Sequence, residues 1–416
     1  MTTLLERSQV LPGATRSRRT LPVLHRAAAF WVVTGTTATL LAASSAPSPL
    51  YPVYQAEFGF STLTLTAIFA VYVLALLLSL LTVGRLSDFF GRRPVLAAAL
   101  LVEAAAMAVF LDAHGVAALY AARIVQGVAT GAAVGVVGAY LLDLQPGNGS
   151  RLGSLVNSAA ATGGLGLGAA VTGVLIQYGP HPTRLVFAIL AVAFLDLALG
   201  TALLPETVDR KPGARVALRP QVSVPTAARR AFVRAVPTMG STWMLGGLML
   251  SVGGTLLSVV FEQHNHAVVG LIIGLFAGSA AVASIRLSHR APEAMAMRGT
   301  VLLLVGTVLF VLAIALSSLT IFVAGAAIAG AGFGPAFLGA FRTVSQLAAP
   351  HERAALISAI YVLSYLAFSI PALIAGLLIT DVGLRSTSLA YGAVVALVAT
   401  GTLLYERHAA RRPVRT

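Results

Sequence analysis

The feature that most constrains this chain is the recurrence of apolar runs at bilayer length. A helix needs about 20 mostly apolar residues to cross the roughly 30 Å hydrocarbon layer. Twelve such runs are present, at 27–49, 64–83, 95–113, 116–142, 152–177, 185–204, 237–261, 268–285, 300–317, 319–345, 355–379 and 387–404. Lipid offers no partner for backbone N–H and C=O groups, so a spanning segment has to satisfy them internally and each run is predicted to be a helix. Composition points the same way: 57% of the 416 residues are hydrophobic and 10% are charged, where a soluble domain carries about 25% charge. The expected fold class is an all-α integral membrane protein.

The net charge of +14 would by itself fit a nucleic-acid partner, and the positions of the basic residues decide against it. With both termini in the cytoplasm, 25 of the 28 Lys and Arg residues fall on inner segments. Arg184 and Arg385 fall outside, and Arg123 lies within a span. Cytoplasmic loops hold the Lys and Arg excess of membrane proteins, so the charge is topological, the partner is the lipid bilayer, and no nucleic acid is expected. The absence of cysteine excludes disulfides and thiol chemistry. The basic start followed by an apolar run to Ala46 could also serve as a signal peptide; counted as a span, it keeps the number of crossings even.

A polar, basic stretch at 205–236 divides the runs six and six. The predicted organisation is a cytoplasmic tail at 1–26, a six-helix bundle at 27–204, a cytoplasmic linker at 205–236 that could hold a short helix on the anionic inner leaflet, a second bundle at 237–404, and a tail at 405–416. The halves repeat. Arg85-Leu86-Ser87 after run two recurs as Arg286-Leu287-Ser288 after run eight, 201 residues on, and Pro146 with Arg151 is echoed by Pro350 with Arg353. Equivalent positions in the same orientation mean two parallel repeats.

Gly84-Arg85-Leu86-Ser87-Asp88-Phe89-Phe90-Gly91-Arg92-Arg93 resembles the loop signature of the major facilitator superfamily, with Phe89 where a basic residue is usual. Asp143-x-x-Pro146 with Arg151, Arg123-x-x-Gln126-Gly127 and Leu204-Pro205-Glu206-Thr207 are similar to further patterns of that family. The resemblance implies the twelve-helix major facilitator fold, with a conformational gate made by Gly84, Asp88, Gly91, Arg92, Arg93, Asp143 and Arg151. Run five carries Gly164-x-x-x-Gly168-Ala169-x-x-Thr172-Gly173, similar to the family's antiporter pattern and equally readable as small-residue helix packing.

Ionisable residues deep in a bilayer are functional candidates by default. Three stand there: Glu103, Arg123 and Asp196. Arg123 sits where the family resemblance implies proton transfer, and could instead form a structural pair with Glu103 on the neighbouring helix. Burial favours the neutral form of a carboxyl, which lets such a group load and release a proton, although structural pairing accounts equally for Glu103 and Asp196. The resemblance places a substrate cavity between the halves, for which Tyr72, Gln126, Asn157, Trp243, Phe337, Tyr361 and Tyr365 are candidates. Phe333, Phe337 and Phe341 recur every fourth residue, as an aromatic wall or as packing.

The expected function is secondary transport by alternating access, as proton-coupled export of small amphipathic molecules such as drugs or metabolites. The alternatives are a proton-linked importer of a neutral nutrient and, from another class, a membrane enzyme or receptor. No cofactor beyond the proton gradient is called for, a monomer suffices, and the expected location is a bacterial cytoplasmic membrane.

Overall fold

The computed structural model describes residues 23–147, 152–209, 212–213 and 218–410, and within these it is built of helices. The amino half holds α1 (Arg26–Ser45), α2 (Pro47–Phe58), α3 (Thr62–Thr82), the one-turn α4 (Ser87–Phe90), α5 (Arg92–Leu111), α6 (Val116–Leu144), α7 (Leu152–Tyr178) and α8 (Leu185–Gly200). The carboxyl half holds α9 (Thr226–Ser251), α10 (Gly253–Val260), α11 (His266–Leu287), α12 (Pro292–Leu316), α13 (Leu319–Ser345), α14 (Arg353–Val382) and α15 (Leu384–Ala410). Among the described residues, eleven helices are long and apolar enough to cross a membrane, or twelve when α9 and α10 count as one span bent by 59°. The expected twelve crossings are therefore met.

Two boundaries differ from the hydrophobic pattern, each for a local reason. The first run does not stop at 49: α1 and α2 form one span from Arg26 to Phe58, because the Pro47, Pro49 and Pro52 that punctuate the sequence are absorbed into α2 with Pro47 at its start, where a missing N–H costs nothing. The seventh helix begins at Thr226, inside the stretch assigned to the linker, and runs unbroken through Pro237. The linker therefore holds no separate surface helix over 226–236. The bend between α9 and α10 falls at the Gly253-Gly254 pair, a common site of sharp kinks. A Cβ on Gly254 would meet the Ser48 carbonyl oxygen at 3.1 Å and Pro52 Cγ at 3.3 Å, so the absent side chain lets α10 lie against α2.

The packing pattern shows the repeat in space. In the amino half α6 packs on α3 and α5, α8 on α5, and α7 on α1. In the carboxyl half α13 packs on α11 and α12, α15 on α12, and α14 on α9. Two seams join the halves, α7 with α11 and α3 with α14. Exchanging each helix for its repeat equivalent turns one seam into the other, as a pseudo-two-fold axis requires.

The α7–α11 seam is as close as two backbones can come. A Cβ on Gly173 would lie 2.5 Å from the His266 carbonyl oxygen and 2.7 Å from Gly270 Cα, and one on Gly270 would lie 2.7 Å from Gly173 Cα. Side-chain hydrogen bonds between the halves, among the described residues, cluster on the face opposite the chain ends: Ser48 Oγ to the Leu250 carbonyl (2.7 Å), Thr255 Oγ1 to Gln55 Oε1 (2.8 Å) and the His266 N–H to Gln177 Oε1 (2.9 Å). That far face is closed.

Replacing Gly173 by Val should force the seam apart and destabilise the protein by about 1–3 kcal/mol, the usual cost of overpacking. Thermal unfolding of the purified protein checks this, with Gly401→Ala, mid-helix with open space around it, expected not to lower the midpoint, since Ala is the better helix former.

Candidate functional site

Three polar or aromatic assemblies stand out, and the sequence motifs fall into two of them. The first surrounds the loop between α3 and α5, on the face that carries the chain ends. Gly91 precedes α5 with φ +96°, a left-handed conformation that favours glycine, and without a side chain it cannot cap the first N–H groups of the helix. Glu206, just past the end of span six, does so instead. Its Oε1 accepts from the Arg92 N–H at 2.8 Å and its Oε2 from the Arg93 N–H at 3.1 Å. A carboxylate there also suits the positive end of the helix dipole. A Cβ at Gly91 would sit 2.6 Å from Glu206 Oε2, so the glycine is required for room as well as for backbone shape.

The Arg92 side chain is buried and spans two acids. Its Nη1 donates to Ser87 Oγ at 2.7 Å and Asp88 Oδ1 at 2.6 Å, and its Nε donates to Asp143 Oδ2 at 3.3 Å. Thr207 Oγ1 donates to the same Asp143 oxygen at 2.7 Å, and Arg26 Nη2 to the Asp143 carbonyl at 2.5 Å. Arg93 turns away, donating to the Thr201 and Ala202 carbonyls at the end of span six. Gly84 is where α3 meets α6: a Cβ on Gly135 would lie 2.9 Å from Gly84 Cα. The structure thus brings Gly84, Asp88, Gly91, Arg92, Arg93 and Asp143 into one network, whose partners all belong to the amino half. Arg151 lies outside the described residues.

The second assembly is at the level of the break between α1 and α2. Pro47 has no N–H, so the Ala43 carbonyl four residues earlier loses its helical donor. Gln126 Nε2 supplies one at 3.0 Å. Arg123, three residues away on the same face of α6, is fully buried and donates to Gln126 Oε1 (2.8 Å), the Ser44 carbonyl (3.1 Å) and, through Nε and Nη2, the Tyr51 hydroxyl (3.1 and 2.7 Å). Its guanidinium carbon lies 4.9 Å from the centre of the Tyr72 ring, and Tyr72 donates to Ser44 Oγ at 2.7 Å. Such cation–π contact strengthens when desolvated.

The alternative reading of Arg123, a pair with Glu103, is not what the structure shows. Glu103, also fully buried, accepts instead from Thr130 Oγ1, while its Oε2 has no hydrogen-bond partner. The reason is positional: Arg123 is held by the Ser44 carbonyl, Gln126 and Tyr51. Asp196 belongs to neither assembly. It lies exposed on α8 beside the exposed Val192, Leu195 and Leu199, and among the described residues it makes no hydrogen bond or ion pair. Asn157, half-buried on α7, faces α6, where a Cβ on Gly138 would lie 3.9 Å from its amide nitrogen.

The third assembly is aromatic and belongs mainly to the carboxyl half. The Trp243 ring on α9 has Phe337, Tyr365 and Phe368 at 5.2–5.3 Å and Phe333 at 6.1 Å between centres. Phe341 and Tyr361 continue it from Phe337 and Tyr365. Phe69 of α3 reaches it across the seam, 5.0 Å from Phe368. Of the predicted cavity residues, Trp243, Phe337, Tyr361 and Tyr365 therefore come together here, whereas Tyr72 and Gln126 belong to the Arg123 network. Sequence reading missed Tyr51, Ser44, Ser87 and Thr130. The signal for Tyr51 and Ser44 was the proline cluster, which announces orphan carbonyls nearby.

The model of the Major Facilitator Superfamily matches residues 33–312, which include Asp88, Arg92, Arg123, Asp143 and Trp243. The chain belongs to the major facilitator superfamily. It is 33% identical over 208 residues to the class C tetracycline resistance protein of Escherichia coli, covering 50% of this chain and 51% of that protein. The chain thus spans about half the length of this curated relative. Among solved structures it is similar to a POT family transporter in complex with 5-aminolevulinic acid (TM-score 0.72, 14% identity, 92% of this chain and 96% of that one). It is equally similar to a bacterial homologue of the human lysosomal transporter Spinster, in an inward-facing and unoccupied conformation (TM-score 0.71, 14% identity, 92% and 97%). At those identities the likeness shows the fold. The superfamily is one of transporters rather than enzymes.

Glu206→Ala removes both acceptors from the start of α5 and should cost about 1 kcal/mol, as cap losses do, while Glu206→Gln keeps one acceptor and should cost less. Thermal melting of the two variants, side by side, gives the order.

Proposed function

We propose that this transporter exports small amphipathic organic molecules by alternating access, driven by a proton gradient, across a bacterial cytoplasmic membrane in which both chain ends face the cytoplasm. The observation that carries the reading is the similarity to a tetracycline resistance protein. The aromatic assembly supports it, since rings without fixed charge suit apolar and amphipathic cargo, and the excess of Lys and Arg on the chain-end face supports the orientation.

In this reading the network of Arg92, Asp88 and Asp143 is the cytoplasmic gate. It is complete within the amino half while the far face is closed, so that half can move as one body about the two seams. Glu103 is the favoured proton carrier: a buried carboxyl with one unpartnered oxygen can take a proton without breaking an ion pair. Arg123 lies on the adjacent helix and positions the α1–α2 break on the cavity wall. Asp196, exposed and remote from both, is the weaker of the coupling candidates.

Reconstitution in liposomes with an imposed pH gradient and tetracycline as first probe tests the reading. Export should be abolished by an uncoupler, and Glu103→Gln should reduce gradient-driven transport at least tenfold while leaving probe binding intact. Unchanged transport in Glu103→Gln, Arg123→Ala and Asp196→Asn would overturn the coupling role, and uncoupler-sensitive accumulation in right-side-out vesicles would replace export by import.

A further inference from the structure

The aromatic assembly contains one polar atom that its packing leaves without a partner. Trp243 Nε1 is buried and donates to nothing, although the ring around it is held edge-to-face by Phe337, Tyr365 and Phe368. An indole N–H normally finds an acceptor when buried, and leaving a buried donor unmade is costly. The geometry around it is built for close ring contact. One turn along α9, a Cβ on Gly246 would meet Phe333 Cε2 at 2.9 Å and Phe368 Cε2 at 3.3 Å, so the bare glycine lets both rings reach the Trp243 side of the helix. The residues in ring contact with Trp243 carry no charge, and the only other polar group they bring is the Tyr365 hydroxyl.

We infer that this assembly is a subsite for a planar, uncharged aromatic group that bears a hydrogen-bond acceptor, with the Trp243 N–H as its donor. In the unloaded transporter the neighbouring rings pack on the indole and no acceptor reaches Nε1. A planar ligand with a carbonyl replaces one of those ring contacts by its own face and supplies the missing acceptor, so the hydrogen bond is formed only with cargo in place. An aromatic ligand of the same shape without the carbonyl gains the stacking alone. Discrimination follows from the donor rather than from hydrophobicity, because a site that offers a buried N–H gains most from ligands able to accept it. The inference deepens the export reading by naming the chemistry of the cargo, and it concerns binding only.

Two tryptophans are present in the chain, and Trp31 is 61% exposed on α1, so Trp31→Phe leaves Trp243 as the sole indole reporter. The probes are fluorenone and fluorene, planar and uncharged molecules that differ by one carbonyl. In purified Trp31→Phe protein, fluorenone should change the Trp243 emission saturably and bind about tenfold more tightly than fluorene, the worth of one hydrogen bond. In Trp243→Phe, which keeps a ring but not the donor, equilibrium dialysis should show the two probes binding equally, at the level of fluorene. A Trp243→Phe protein with an unchanged melting temperature makes that comparison a test of the donor and not of folding, and if its melting temperature falls, the comparison of the two probes in the Trp31→Phe protein alone decides. Equal affinities of the two probes in the Trp31→Phe protein, or a preference for fluorenone that survives Trp243→Phe, would overturn the subsite. Because the measurement is of binding, a carbonyl preference without gradient-driven export would retain the subsite and discard the export reading, and export without the preference would do the reverse.

Discussion

The structure depends on one constraint: inside a bilayer no water is available to satisfy a polar group, so each must find a partner in the chain. Arg123 meets that constraint without an acid in contact. Its guanidinium makes four hydrogen bonds, to a tyrosine hydroxyl, a backbone carbonyl and a glutamine oxygen, with the Tyr72 ring against its face. Pro47 leaves the Ala43 carbonyl open to Gln126, whose oxygen then accepts from Arg123, and Tyr51 follows one turn later. A helix break and a buried cation, each unfavourable alone, are mutually satisfied, and this joins α1, α2, α3 and α6 at the centre of the amino half.

The same economy governs the loop at the chain-end face. Gly91 gives α5 a start that no side chain of its own can cap, and Glu206 arrives from the end of span six to accept its N–H groups. Arg92 is then fixed between Asp88 and Asp143, so the ends of α3, α5, α6 and span six form one unit. The amino half is consequently tied together on that face, whereas at the α7–α11 seam with the carboxyl half glycines meet glycines.

Much of this was legible in the sequence, for reasons that differ from element to element. Span number follows from hydropathy because the bilayer sets a length, and the two-fold pairing of seams follows from a repeat visible as Arg85-Leu86-Ser87 and Arg286-Leu287-Ser288. The network of Arg92 with Asp88 and Asp143 was readable because those residues sit at fixed motif positions. What sequence could not show is which of several possible partners a buried group takes. Glu103 and Arg123 lie on adjacent helices and an ion pair between them is one expectation, yet Arg123 is drawn to the Ser44 carbonyl, Gln126 and Tyr51. The start of α9 was missed because residues 226–236 are polar and basic: they extend a spanning helix beyond the apolar run, where hydropathy gives no signal. Asp196 was judged by depth alone, and depth does not say which side of a helix faces the bundle.

The continuity of α9 has a geometric consequence. Its 26 residues make a rod of about 39 Å at 1.5 Å per residue, running from the segment that tethers the two halves to the bend at Gly253, where α10 leans on α2. Pro237 is the one residue within it that removes a backbone hydrogen bond. One continuous helix thus connects the tether at Thr226 to the opposite side of the bilayer, with Trp243 on the shaft between.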